Sequence, residues 1–298
     1  MVKFSEPTIA DKNWMYELSA RSNLRNADYA FGSIYCWTHH TNSKIARVGD
    51  RLLLRVIKDG SCAYAYPVGS GDITPAINAI AEDATHRGER ICLAGVSAEV
   101  LPEVKSFFSK KPVVTFEPGE SDYIYLADNL AKLSGKKYHG KKNHVNRFMA
   151  EHDWRFEPIT HENISLCHEL ASEWFIQAEN ERGEDFIAVI KALHTALEIY
   201  FDAGFDGGVI WDGDKIAAFT VGEMVSPDTL VAHFEKANPH VNGAYSIINQ
   251  QFAKYMIEKY PSLIYINREE DMGLENLRKA KQSYHPEFLV DKYTVVWQ

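Results

Sequence analysis

Two spacings of apolar residues alternate along the chain. Ile73, Ile77, Ile80 and Ala84 share one side of a helix, and Gly88 closes it. Thr8-Ile9-Ala10-Asp11 has the form of a capping box and predicts a short helix through about Ala20. Asp28 is expected to cap a second helix with a crowded apolar surface of Phe31, Ile34, Tyr35 and Trp37. Ser43 to Val48 and Arg51 to Ile57 read as strands joined at Gly49-Asp50, a hairpin signal. Cys62 to Val68, Arg90 to Ala94, Val113 to Phe116 and Tyr123 to Leu126 read as further strands, and Val100 to Ser109 as a short helix. A long basic helix is predicted over Lys136 to His152, striped by Tyr138, Val145, Phe148 and Met149.

The order then recurs. Thr160 is expected to cap a helix with Ile164, Cys167, Ala171, Trp174 and Ala178 on one face, and Phe186, Ile190, Leu193, Leu197 and Tyr200 stripe the next. Gly208 to Trp211 and Lys215 to Met224 form a hairpin at Asp212-Gly213, and Thr229 to Lys236 follows the turn Ser226-Pro227-Asp228. Ala244 to Tyr260 is a helix, Leu263 to Asn267 a strand, Leu274 to Tyr284 a helix, and Phe288 to Trp297 one closing strand. No residue-level repeat is visible, but two helices, a meander, a helix, a strand, a helix and a strand occur twice. The economical reading is α+β: two copies of one unit, each a mostly antiparallel sheet flanked by helices. The boundary is expected near 128, giving residues 1–128 and 129–298, the second opening on the basic helix.

Composition changes this picture only in places. A chain of 298 residues exceeds what one core usually organises, and 12% aromatic residues supply a substantial interior. A net charge of -9 argues against a surface that grips nucleic acid throughout. Within that acidic chain, Lys136 to Arg147 holds five Lys or Arg and no acid. Cys36, Cys62, Cys92 and Cys167 form no CxxC pair and read as reduced core thiols. No His, Asp or Glu cluster has metal-ligand spacing, and there is no GxSxG or P-loop, so no metal is expected. The first residues carry no apolar run, and no apolar stretch approaches the ~20 residues that span a bilayer. A cytoplasmic protein with no integral membrane association is expected.

The candidate chemistry lies in the second half. The loop Asn238 to Ala244 joins a strand to a helix, and Gly243 permits tight backbone geometry there. Outward N–H groups at that helix start suit a phosphate; the alternative is a plain turn with Asn242 as N-cap. Val231, His233 and Glu235 are expected on one strand face, with Glu223 near the end of the preceding strand. Amine acylation needs a base, so Glu235 and Glu223 are candidates, and Tyr284 is a candidate proton donor to the leaving group. The alternative makes both glutamates ion-pair partners of lysines. Lys137, Lys141 and His144 share one face of the basic helix, and Lys136, Asn143 and Arg147 another. With Lys142 they offer a surface for phosphate or a tRNA acceptor stem. Arg278 and Lys281, three apart, can converge on one anion, or simply complement a helix C-terminus. The acidic run Glu179 to Asp185 is a solvated loop or a receiver of a cationic amine.

The stretch Leu230 to Ala244 resembles the acyl-donor strand, loop and helix of GNAT acyltransferases, and Asn267 through Tyr284 resembles the GNAT motif that follows. More narrowly, Gly135 to Phe148 and Leu277 to Pro286 resemble bacterial proteins related to the C-terminal domain of phosphatidylglycerol lysyltransferases, tandem GNAT-fold proteins akin to Fem-type aminoacyltransferases. The resemblance implies an acyl- or aminoacyltransferase moving an activated acyl group to an amine or hydroxyl. Its co-substrate would be acyl-CoA or aminoacyl-tRNA, with no tightly bound cofactor and no DNA partner. Asn242, Gly243, Ala244, Tyr245, Ser246 and Asn267 would hold the donor. The loop departs from the GNAT pattern, with His240 first and Tyr245 last. That departure keeps a second reading open: a non-catalytic ligand-binding or regulatory protein on the same fold.

Overall fold

The structure, a computed structural model, describes residues 2–58, 60–178 and 184–297. The chain begins with α1 (Lys12–Ser22), α2 (Phe31–Cys36), α3 (Thr38–Thr41), β1 (Lys44–Val48), β2 (Arg51–Lys58), β3 (Ser61–Tyr64) and β4 (Val68–Gly69). Next come α4 (Thr74–Arg87), β5 (Cys92–Ser97), α5 (Leu101–Val104), β6 (Val113–Phe116), β7 (Asp122–Leu126), α6 (Ala127–Lys132) and α7 (His139–Glu151). Then follow β8 (Trp154–Pro158), α8 (Ile164–Ala178), α9 (Glu184–Glu198), β9 (Asp206–Asp212), β10 (Lys215–Ser226) and β11 (Thr229–Ala237). The chain closes with α10 (Ala244–Lys259), β12 (Tyr265–Asn267), α11 (Glu275–Gln282), β13 (Phe288–Val290) and β14 (Lys292–Val296).

Two compact units result. One comprises Met1–Tyr123, Glu270–Arg278 and Leu289–Gln298, the other Ile124–Glu269 and Lys279–Phe288. The expected boundary near 128 lies close to the first crossing at Tyr123, but the chain crosses again at 270, 279 and 289. Short-range patterning cannot show such returns, because periodicity reports only a residue's own element.

The first unit's sheet has the order β1-β2-β3-β5-β14-β6, with β4 on β2. Its β1–β2 hairpin turns at Gly49, whose φ of 58° suits glycine. α4 ends on Gly88 at φ 69°, whose N–H returns to the carbonyls of Ala84 and Thr85. Leu53, Tyr64, Ile80, Val96 and Val295 fill the interior. The C-terminal strand β14 sits inside this sheet, antiparallel to β5 and to β6. Beside it the buried Lys292 ammonium lies 2.8 Å from both Asp28 and Asp122. Those carboxylates, with burial opposing, hold its pKa above the usual lysine range.

Asp28 therefore does not cap a helix. The Asp28 N–H donates to Asn26 Oδ1 at 2.8 Å, which caps a 3₁₀ turn at Ala27–Tyr29, and α2 starts after Ala30 with no side-chain cap. Phe288 to Trp297 is two strands in two sheets, broken at Asp291, whose carboxylate accepts from Ser121 Oγ at 3.0 Å. Cys62 to Val68 divides into β3 and β4. The strand expected at Arg90 to Ala94 shifts to Cys92–Ser97, and the helix at Val100 to Ser109 shortens to Leu101–Val104. The long basic helix begins as a 3₁₀ turn, Lys136–Tyr138, before α7. α6 and β8 carried no clear periodicity and were not anticipated.

The other sheet has the order β13-β7-β12-β11-β10-β9-β8, and the second unit supplies all of β8 to β12. The β9–β10 hairpin turns at Gly213, and Val209, Phe219, Val221 and Ile248 are fully buried within that unit. Truncation after Val290 removes β14 and leaves β5 and β6 without their shared neighbour. The expected outcome is loss of the first unit's tertiary structure, seen as a collapsed near-UV circular dichroism signal; a native spectrum would show that β14 is dispensable.

Candidate active site in the second unit

The site begins where two parallel strands part. β11 and β12 pair at only three positions, Thr229, Leu230 and Val231 against Tyr265, Ile266 and Asn267. Past that point the Asn267 side chain accepts the Glu269 N–H at 2.7 Å, and Glu269 takes a φ of 57°, so the chain turns off the sheet. β11 runs on to Ala237 beside β10.

A β-bulge decides which side chains enter the opening. β10 pairs Val221 with Phe234 and Gly222 with Ala232, leaving His233 as the extra residue. Glu223 lies opposite Val231, and Thr220 opposite Glu235. Thr220 and Glu223 are an odd number of residues apart and face opposite ways, and cross-strand partners share a face. Val231 and Glu235 therefore point to opposite faces. The expectation that Val231, His233 and Glu235 share one face is corrected by this single inserted residue.

Glu235 meets α10 and the loop after β12. Its Oε1 accepts from Arg268 Nη2 at 2.8 Å and its Oε2 from Asn249 Nδ2 at 3.2 Å. A carboxylate only accepts, so the amide turns its NH₂ toward Glu235 and its oxygen away. Asn249 Oδ1 and Arg268 Nη1 are both buried without a hydrogen-bond partner. The cluster thus presents one unmatched acceptor and one unmatched donor, each costly to leave unmet. The Arg268 guanidinium lies 4.8 Å from the centre of the Tyr284 ring, and Lys141 Nζ lies 4.2 Å from the same ring. Burial, then the Arg268 charge, lowers the Lys141 pKa against the pull of Glu235. Burial raises the Tyr284 phenol, so it stays protonated at neutral pH.

Behind the cluster lies a buried ionic clamp. His233 Nε2 is 3.0 Å from Glu223 Oε1, and Nδ1 is 2.8 Å from Glu269 Oε1. Burial alone would push the imidazole pKa down, but hydrogen bonds to two carboxylates outweigh it and raise it to about 9. The ring is therefore a cation at neutral pH and fixes the loop that carries Arg268. Lys281 supports the same loop by donating to the carbonyls of Arg268 and Glu269.

Gly243 is the N-cap of α10 at φ 88°, which displaces Asn242 from that role because an αL position favours glycine. A Cβ here would lie 2.9 Å from His144 O and 3.1 Å from Phe148 Cβ, so α7 packs directly on the loop. The Ala244 and Ser246 N–H groups already bond to Val241 O and Gly243 O.

The family profile of the phosphatidylglycerol lysyltransferase C-terminal domain matches residues 19–296. The chain belongs to that family. It is 34% identical to a conserved protein of unknown function from Bacteroides thetaiotaomicron VPI-5482, with a TM-score of 0.94 and 100% of both chains covered. L-PGS from Bacillus licheniformis is 15% identical with a TM-score of 0.62, covering 87% of this chain and 89% of that one. FemX is 10% identical with a TM-score of 0.63, covering 99% and 97%. The fold is α+β, that of tandem GNAT proteins, one of which, from the clavulanic acid biosynthesis pathway, aligns at a TM-score of 0.50. An uncharacterized protein of Mycoplasmoides gallisepticum is 20% identical over 190 residues, 63% of this chain but only 59% of that protein's length.

Within the second unit the Gly243 loop, the basic helix and the segment around Tyr284 do meet. Lys141 and Tyr284 enter the cluster with Glu235, and Ser246 is buried in the first turn of α10. Lys137 and Lys142 are exposed on or beside α7, and exposed Arg147 pairs with Glu151 at 2.9 Å. Tyr245 is exposed at the helix start and Ala244 is buried. Arg278 and Lys281 do not converge on an anion: Arg278 donates to Asp271 at 2.8 Å, while Lys281 holds backbone carbonyls. The acidic run Glu179 to Asp185 lies outside the described residues, apart from the backbone of its last two. Arg268, Asn249 and Glu269 were not anticipated as site residues; the one signal was the density of charge directly after a buried strand. Among the described residues no group of three or more His, Cys, Asp or Glu is placed to hold a metal. Among them no helix is long and apolar enough to cross a membrane.

Two outcomes test this geometry. The folded pKa of His233 lies above the ordinary imidazole value of about 6.5. Its contribution to stability is then fully present below that value and is lost as pH rises through about 9. Urea titrations from pH 6 to 10 should show that decline in the wild type and a flatter profile in His233→Gln. Gly243→Ala should cost about 1–3 kcal/mol from backbone strain, with more from the α7 clash, read as a lowered urea midpoint.

Proposed function

We propose that the second unit transfers an aminoacyl group from an aminoacyl-tRNA to an amine or hydroxyl acceptor. The observation that carries this reading is the Arg268 Nη1 donor, buried and unmatched, beside Lys141 and Tyr284. The ester already supplies the activation, so the protein's work is positioning, proton transfer and oxyanion stabilisation. Lys141, its pKa lowered, takes the acceptor's proton as the acceptor forms its bond to the ester carbonyl carbon. Arg268 Nη1 holds the resulting oxyanion. As the ester C–O bond breaks, the Tyr284 hydroxyl passes its proton to the departing ribose oxygen, and the Lys141 ammonium restores it. Glu235 and Glu223 then orient Arg268 and His233, and neither serves as the free base. Exposed Lys136, Lys137 and Lys142 favour tRNA over acyl-CoA as the donor, since a phosphate backbone needs an extended cationic surface.

The pairing of both glutamates equally favours a binding protein that holds an acyl ligand without transferring it. One experiment separates the two. Aminoacyl-tRNA with a labelled amino acid is incubated with the protein and hydroxylamine, and labelled hydroxamate is counted. Transfer predicts turnover that falls about 10²–10³-fold in Arg268→Ala, the usual cost of an oxyanion donor. Lys141→Ala should fall comparably, and the alkaline rise in rate should lie below the ordinary lysine range. Protection of the ester without hydroxamate would establish the binding protein instead. Thermal stabilisation by acetyl-CoA but not by aminoacyl-tRNA would overturn the donor assignment.

A further inference from the structure

The first unit carries a basic cavity that the transfer reading does not use. From Val104 to Phe116 the sequence contains three lysines and no acid, within a chain of net charge -9. The segment leaves α5, turns, and enters β6. Lys105, Lys110 and Lys111 line a cavity of about 570 Å³ together with Phe108, Ser109 and Val114. Val114 belongs to β6, which pairs with β14 through Val295, so one wall of the cavity is anchored in the sheet.

Phe108, which lines the cavity, packs against a second aromatic side chain. Trp297 follows β14, is 5% exposed, and its indole Nε1 has no hydrogen-bond partner. Its ring stands edge-on to Phe108 at 5.0 Å between centroids and 73° between planes. Three ammonium groups around an aromatic side chain suit a ligand that carries both phosphates and flat π surfaces. We propose that this cavity binds a single strand of nucleic acid, with phosphates on Lys105, Lys110 and Lys111 and a base against Phe108. The inference does not rest on the transfer reading: a strand-binding surface in the first unit stands whether or not the second unit moves an acyl group. An anionic membrane would use the same lysines but has no need of a concave aromatic wall.

The test uses the full chain and a fluorescein-labelled single-stranded RNA of 12 nucleotides, followed by anisotropy across a salt series. Each phosphate contact contributes about 0.7 to the log–log salt slope for a single strand. The Lys105→Glu, Lys110→Glu, Lys111→Glu triple variant should weaken binding at least tenfold and flatten the slope by about 2, while Phe108→Ala weakens binding with the slope retained. The Lys→Gln triple variant, checked for native circular dichroism, guards against misfolding and should lose the same slope. An unchanged slope in both triple variants overturns the proposal, as does binding to phosphatidylglycerol vesicles with none to the RNA.

Discussion

The second unit depends on one inserted residue. Without the bulge at His233, Glu235 would share the face of Val231 and could not reach both Asn249 on α10 and Arg268 beyond β12. A buried ion pair is not a reliable source of stability, because desolvating two charges costs about as much as their attraction returns. Its value here is positional. The guanidinium is fixed by Glu235 on one nitrogen, its other terminal nitrogen is left unmatched, and it lies over the Tyr284 ring that Lys141 also meets. The His233 clamp extends the same logic, since two carboxylates around one imidazolium secure the loop from which Arg268 projects.

The first unit solves a related problem. Lys292 enters its interior on the last strand and is compensated by Asp28 and Asp122. Asp122 also accepts the Ala27 N–H at 2.8 Å, so this cluster ties both ends of the chain to one ionic centre. Its sheet is completed only when β14 takes its place between β5 and β6, which makes folding of this unit dependent on residues far away in sequence.

The hairpins at Gly49-Asp50 and Asp212-Gly213, the helix stop at Gly88 and the long helix after Gly243 were all legible, because each is set by local conformational preference. The α+β class and its doubled order followed from them. Lys141, Tyr284 and Glu235, singled out by their polar side chains and by resemblance, are brought together in one cluster. Arg268 and Asn249 were not singled out: one looked like part of a charged loop, the other like one polar position of an amphipathic helix. The face shared by Val231, His233 and Glu235 was misread because a bulge has no signature when the strand's own residues all favour extended structure.

The sequence by itself determined most of the elements, the α+β class and the family resemblance, since these depend on periodicity, turn residues and motif spacing within short windows. Only the tertiary structure decided that the last strand belongs to the first unit's sheet. It also decided that Arg278 and Lys281 serve different partners, and that Glu235 faces Arg268. Each of those outcomes turns on which distant group compensates a buried charge or an open sheet edge, and that is a property of packing rather than of any local pattern.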